Sequence, residues 1–191
     1  IGDDKVALVL GDNIFHGSEM GSKLKGYTDI EGGLIFGAQV HDPERYGVVE
    51  FDKNMKVLSI VEKPSEPKSK YAIPGLYFFD NKAVDFAKNA KPSERGEIEI
   101  TEIHNAYLKE GSLRVSLLDR GTAWLDTGTF ETLHQAGEFV KVIENRQGLK
   151  VGCPEEIAFE NGWITADDVR RIATPLVKSG YGKYLMRLIE K

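Results

Sequence analysis

A second cysteine is missing: Cys153 is the only one in 191 residues. No disulfide within the chain is available, and a reducing compartment suits such a sequence. Long apolar runs are missing as well. Nothing approaches the roughly 18 residues of a membrane span, and no secretory signal opens the chain, so the cytoplasm is the expected location. Nor is there an excess of positive charge. Against 25 Lys and Arg stand 30 Asp and Glu, a formal net charge of −5, which excludes a surface that attracts nucleic acid as a whole. Phosphorylated small molecules stay within reach only through locally placed Lys, Arg or metal ions.

The common chemical signatures are absent too. Neither GxxxxGK[ST] nor GxGxxG occurs, so the usual phosphate cradles are not in this chain. The lone Cys and the four histidines, His16, His41, His104 and His134, give no zinc spacing. No GxSxG nucleophile elbow is present. What remains is an ordinary globular composition, 41% hydrophobic and 29% charged, in a length that buries a core without disulfide or metal staples.

Val6-Ala7-Leu8-Val9-Leu10 is a continuous apolar run ended by Gly11-Asp12-Asn13, and it reads as a strand buried on both faces of a parallel sheet. A polar helix is expected over about 18–27, then strands over 34–40, 48–51 and 57–61. The last two are joined by Asp52-Lys53-Asn54-Met55, a turn sequence that predicts an antiparallel hairpin. A strand through 75–79 leads to Asp80, a candidate cap for the helix that follows. Residues 98–109 read as a helix stopped by Gly111, 113–118 as a strand, and 123–129 as a short apolar segment ending in an Asp and a glycine turn. From Phe130, Leu133, Ala136, Gly137, Val140 and Ile143 recur at helical spacing. After Gly148 only two or three short helices are expected. The reading is an α/β body over 1–150, built on a mixed, mostly parallel sheet, with a helical appendage over 151–191.

Two aspartates stand out, Asp12 after Val-Leu-Gly and Asp126 after Ala-Trp-Leu, each at the carboxyl end of an apolar strand. Open α/β sheets bind ligands outside such ends, and magnesium favours one or two carboxylates completed by substrate phosphates and water. Alone, each Asp reads first as a turn or helix cap. In Glu62-Lys63-Pro64, Pro64 is expected to hold Lys63 extended, aiming its ammonium at a phosphate while Glu62 accepts sugar hydroxyls. Strand alternation opposes this, because neighbours face opposite sides unless a bulge or the strand end intervenes; a solvated surface pair is the other reading. Tyr46-Gly47 suits either a ligand wall beside an open backbone or a hairpin-entry turn. Arg95, in a polar loop, adds positive charge.

Taken in order, Leu10-Gly11-Asp12-Asn13-Ile14-Phe15, Glu44-Arg45-Tyr46-Gly47-Val48-Val49, Val61-Glu62-Lys63-Pro64, Gly75-Leu76-Tyr77-Phe78, Arg95-Gly96-Glu97-Ile98-Glu99-Ile100-Thr101 and Trp124-Leu125-Asp126-Thr127-Gly128-Thr129 resemble the sugar-phosphate nucleotidyltransferases. The likeness covers essentially the whole chain and is nearest to the thymidylyl-transferring members. It implies a Rossmann-like fold of that family and dTTP and glucose 1-phosphate as substrates, with dTDP-glucose and pyrophosphate as products. It also implies Mg2+ on Asp12 and Asp126, with Lys63 and Arg95 neutralising phosphate charge. Glu62, Gly47 and the backbone near Ile73 would bind glucose hydroxyls, walled by Tyr46, Tyr77 and Trp124. A homotetramer and a regulatory nucleotide-sugar site drawing on His16, Gly17, Arg120, Lys150, Glu156 and Ile157 are further implications. His16 stands where the family commonly has Tyr. The family's Gly-rich front segment is not in this sequence, which begins at Ile1; its absence is expected to expose apolar sheet surface and to leave the chain inactive alone. Transfer of another nucleotide, or ligand binding without catalysis on the same fold, stays open at this point.

Overall fold

The computed structural model describes residues 1–18, 20–93 and 96–190. Its elements, in chain order, are β1 (Val6–Val9), β2 (Asn13–His16), α1 (Met20–Lys25), β3 (Gly33–Gln39), β4 (Gly47–Phe51), β5 (Val57–Glu62), β6 (Tyr71–Ala72), β7 (Leu76–Phe79), α2 (Lys82–Asn89), α3 (Ile100–Lys109), β8 (Leu113–Leu117), β9 (Ala123–Asp126), α4 (Phe130–Gln147), α5 (Pro154–Glu160), α6 (Ala166–Ala173) and α7 (Gly180–Leu188). Two compact units result, Ile1–Ala136 and Gly137–Lys191.

In the first unit β3 is the axis of a seven-stranded sheet. β8 pairs with β3 in parallel, while β7 and then β6 pair antiparallel along it. β1 adds antiparallel to β7, and the β4–β5 hairpin adds through β6. The mostly parallel sheet expected from the sequence is therefore corrected: of these pairings only β3 with β8 is parallel. The apolar runs misled because they report burial on two faces, not strand direction. Ile35, Tyr77 and Phe79 point into a core with Tyr107, Val115 and Ile60. Their neighbours Leu34, Phe36, Leu76 and Phe78 join Ile30 in a second cluster. Burying each such side chain stabilises the fold by about 1.5–3 kcal/mol.

The run that reads as doubly buried is corrected as well. β1 lies at the end of the strand order, and Leu8, Val9 and Leu10 are exposed. The predicted hairpin is present, with β4 and β5 in antiparallel register. Asp52 Oδ1 accepts from the amides of Asn54 and Lys56, closing its turn. Asn81 occupies the N-cap of α2 without a side-chain cap bond, and Asp80, one residue earlier, accepts from the first helical amide, that of Lys82, at 3.1 Å. Asp80 also accepts from the Gly32 amide and the Tyr107 hydroxyl, tying the start of β3, α2 and α3 together.

The second unit contains helices only among its described residues. Cys153, Val169, Ala173, Tyr184 and Leu185 form its core. Thr165 and Asp168 make a reciprocal capping box at the start of α6, which satisfies two amides that the helix itself leaves unpaired. No helix among the described residues is long and apolar enough to cross a membrane.

Candidate active site

β6 and β7 are one strand broken at Ile73-Pro74-Gly75, and the break opens the site. Both halves face β3 on one side. On the other, β7 carries β1 and β6 carries β4, so the strand end of β1 and the start of β4 meet across the gap. The backbone amide of Ile73 donates to the Gly47 carbonyl at 2.7 Å, and that of Leu10 to the Gly75 carbonyl at 2.8 Å. A cleft of about 560 Å³ opens here, bordered by Asp12, Tyr46, Gly47, Glu62, Lys63, Ile73, Tyr77, Trp124 and Asp126. Every proposed metal and substrate residue except Arg95 thus lines one cavity; Arg95 lies outside the described residues.

The two aspartates meet through a separate ribbon, not through the ends of parallel strands. β2 and β9 pair only with each other, Asn13 opposite Asp126. The amide and hydroxyl of Thr127 both donate to the Asp12 carbonyl, at 2.8 and 2.9 Å. Burial, and then the neighbouring Asp12 carboxylate, raise the pKa of Asp126, against the lowering pull of the Gly128 amide, Arg45 and Lys63. Two mutually repelling carboxylates at a cleft mouth fit a hard divalent cation, which needs one or two such oxygens and takes the rest from phosphate and water. No group of three or more His, Cys, Asp or Glu able to hold a metal occurs among the described residues.

Asn13, which sequence reasoning passed over, is the hub of this corner. Its side-chain oxygen accepts from the Trp124 indole at 2.6 Å and from the Gly75 amide at 3.0 Å. Its amide nitrogen donates to Asp12 Oδ1 at 2.8 Å. Asp12, the Trp124 wall and the strand break are therefore fixed by one side chain. Trp124 packs on Tyr46, rings 5.0 Å apart, and the Arg45 guanidinium lies 5.4 Å from the Tyr46 ring.

Lys63 is not extended: its φ is +42°, in the left-handed region that non-glycine residues rarely adopt. The Lys63 amide donates to the Tyr46 carbonyl at 3.0 Å. The pairing holds the chain as it turns off the end of β5, against the preference Pro64 imposes. The turn also removes the alternation conflict, since Glu62 ends the strand and Lys63 swings to the same cavity. Such conformations cost on the order of 1–3 kcal/mol and gather at functional sites. At Gly47 a Cβ would stand 3.1 Å from Glu62 Oε2 and 3.5 Å from Thr101, so the backbone is bare where that carboxylate approaches.

His104, read only as one of four scattered histidines, also borders the cleft. It is fully buried against Tyr77 and Phe79, ring centroids 4.8 and 5.8 Å away. Neither ring nitrogen has a hydrogen-bond partner among the described residues, a condition that costs about 1–3 kcal/mol per buried group. Burial pushes its pKa down to about 3, so the ring is neutral. Burial, followed by Glu62 and Asp12, raises the pKa of the Tyr77 hydroxyl.

The residues expected to form a regulatory site fall in both units. His16 sits opposite Ala123 in the β2–β9 ribbon, and a Cβ on Gly17 would meet Thr122 Oγ1 at 3.0 Å. Arg120 borders a second hollow of about 1090 Å³ with His41 and Lys70. In the other unit Lys150 pairs with Glu144, Glu156 accepts from the Tyr184 hydroxyl at 2.6 Å, and Ile157 is exposed.

A family model described as "Nucleotidyl transferase" matches residues 1–142. The chain is 54% identical over 191 residues to a glucose-1-phosphate thymidylyltransferase of Mycolicibacterium smegmatis, covering 100% of this chain and 66% of that protein. It is also 54% identical over 192 residues to the enzyme of the same name from Neisseria gonorrhoeae, covering 100% of this chain and 67% of that protein. The chain thus spans about two thirds of the length of the curated relatives it matches. A Bacillus anthracis structure carrying the same enzyme name, solved with a sucrose, superposes with a TM-score of 0.62 at 40% identity. That match covers 72% of this chain and 55% of the other. A UDP-glucose pyrophosphorylase with UDP-glucose matches at 21% identity and a TM-score of 0.61 over 73% of this chain and 57% of that one, which speaks to fold alone.

Proposed function

Because the chain belongs to the nucleotidyl transferase family, we propose that it is the part of a glucose-1-phosphate thymidylyltransferase that holds the sugar phosphate and the metal. The reaction transfers a deoxythymidylyl group from dTTP to glucose 1-phosphate, giving dTDP-glucose and pyrophosphate. The observation that carries this reading is the meeting of Asp12, Asp126, Glu62 and Lys63 in one cleft from three separate segments of the sequence. The relatives' shared name supports the choice of base and sugar.

A phosphate oxygen of glucose 1-phosphate attacks the α-phosphorus of dTTP in line, the bond to the pyrophosphate oxygen breaks, and no covalent enzyme intermediate forms. Little chemistry is asked of the side chains; positioning and charge stabilisation carry such transfers. Glu62, the Gly47 backbone and the Ile73 backbone orient the glucose hydroxyls between Tyr77 and the Tyr46–Trp124 wall. Lys63 holds the sugar phosphate, and Arg95 adds charge on the same group. Asp12 and Asp126 would hold Mg2+, which when bound neutralises phosphate charge and polarises the phosphoryl oxygens. The buried, unpaired Cys153 supports a reducing, cytoplasmic setting, and exposed Ile157 and Trp163 support a homo-oligomer, a tetramer by resemblance.

The test is pyrophosphate release from dTTP and glucose 1-phosphate with magnesium, run beside UTP, CTP and ATP. Preferential turnover of dTTP is the expected result. Magnesium-dependent binding of the sugar phosphate without turnover by the complete protein would replace catalysis with a binding role.

A further inference from the structure

His104 projects from α3, whose first turn also lines the cleft through Ile100 and Thr101. Thr101 lies three residues before it and so on the same face of the helix. The residues that crowd the bare backbone of Gly47 are Glu62, Thr101 and Ile73, which places α3's buried face beside the sugar-orienting end of the cleft. Tyr77 stands against the His104 ring and feels the Glu62 charge. Its hydroxyl and the imidazole therefore share that end.

A neutral imidazole offers one donor and one acceptor, and here both are without a partner among the described residues. Buried polar atoms in native proteins are nearly always paired, and an exception calls for a role. An uncharged ring lacks the charge attraction that a cation such as Lys63 offers a phosphate. A sugar hydroxyl, itself donor and acceptor, matches it on both counts, and complements Glu62, which as a carboxylate only accepts. The χ2 torsion of His has broad wells, so a modest turn of the ring presents a nitrogen to a ligand in the cleft.

We propose that His104 is a specificity-determining residue for the sugar, its imidazole hydrogen-bonding a hydroxyl of the bound hexosyl phosphate beside Glu62 and Thr101. The assignment rests on the function proposed above. It names a group in the core of α3, outside the motifs that carry the resemblance, as part of the sugar subsite.

The experiment compares kcat/KM for glucose 1-phosphate with that for its 2-, 3-, 4- and 6-deoxy analogues, in the complete protein and in its His104→Leu and His104→Asn variants. For one deoxy analogue, His104→Leu is expected to shrink the discrimination by about tenfold or more, with KM for dTTP unchanged. His104→Asn, which keeps a donor and an acceptor, retains most of it. In parallel, the imidazole 15N resonances of the unmutated protein are followed as glucose 1-phosphate is added, a reading that survives if a variant fails to fold. A shift at one ring nitrogen is expected. Turnover by the parent with unchanged ratios in the folded variants, or with unmoved resonances on saturation, overturns the role of His104 alone. Absence of both turnover and sugar-phosphate binding in the parent overturns the proposed function and this inference with it.

Discussion

Thr127 donates twice to the carbonyl oxygen of Asp12, through its amide at 2.8 Å and its hydroxyl at 2.9 Å. The residue following one candidate metal ligand is thereby clamped to the backbone of the other. Removing a side chain from this pair removes a charge from a preset position without removing much buried apolar surface. Asp126→Ala is therefore expected to keep the fold and to lower turnover by at least about 10²–10³-fold, read as pyrophosphate release with the melting temperature as control. Near-normal activity would sink the metal assignment.

The same carboxylate gives a stability signature. The pKa of Asp126 is raised, first by burial and then by Asp12, so over the interval above the ordinary carboxylate value the folded state holds a proton that the unfolded state has released. Stability falls as pH climbs through that interval, and the loss is complete above the raised value. Without magnesium, Asp126→Asn should melt higher than the parent near neutral pH and together with it below pH about 4. Magnesium should raise the melting temperature of the parent alone.

Lys63 stores backbone strain at φ +42°. Replacement by Gly, which adopts that region freely, relieves about 1 kcal/mol and should hold or raise the melting temperature while turnover drops. Lys63→Ala should lose turnover to a similar degree with no stability gain. Equal stability changes in the two variants would mean that the backbone there carries no strain.

Asp80 is held below the ordinary carboxylate range; burial opposes this, but the Tyr107 hydroxyl at 2.7 Å and the amides of Gly32 and Lys82 outweigh it. A depressed acid contributes stability that is present above its unfolded pKa and is lost as pH falls through the folded value. Tyr107→Phe should cost about 1.5–3 kcal/mol near neutral pH, and urea melts should show the deficit shrinking in acid.

In the helical unit a Cβ at Gly182 would stand 2.1 Å from the Leu176 carbonyl oxygen and 2.7 Å from the Val177 nitrogen. Both are backbone atoms, so the turn before α7 must shift. Gly182→Ala is expected to cost about 1–3 kcal/mol and to speed proteolysis within residues 137–190 ahead of the rest.

Local chemistry made much of this protein legible. Asp52 to Met55 announced a hairpin because side-chain-to-backbone bonds there depend on neighbours only, and the cleft residues Asp12, Glu62, Lys63 and Asp126 stood out by their types at strand ends. What escaped depends on contacts between distant residues. Continuous apolar runs show that β3 and β7 are covered on two faces but not which way their neighbours run, so the expected parallel sheet is antiparallel but for β8. Asn13 bonds Trp124 across 111 positions, and no spacing within either segment records that. The left-handed turn at Lys63 overrides the extended preference set by Pro64, because pairing with Tyr46 holds it. His104 looks in sequence like any histidine on a helix; only the packing of Tyr77 and Phe79 around it strips the ring of water at the border of the cleft. Sequence determined the local elements and the chemical inventory, which follow from side chains and short-range bonds. Tertiary structure decided the site, because a cleft exists only where separate strands meet and diverge.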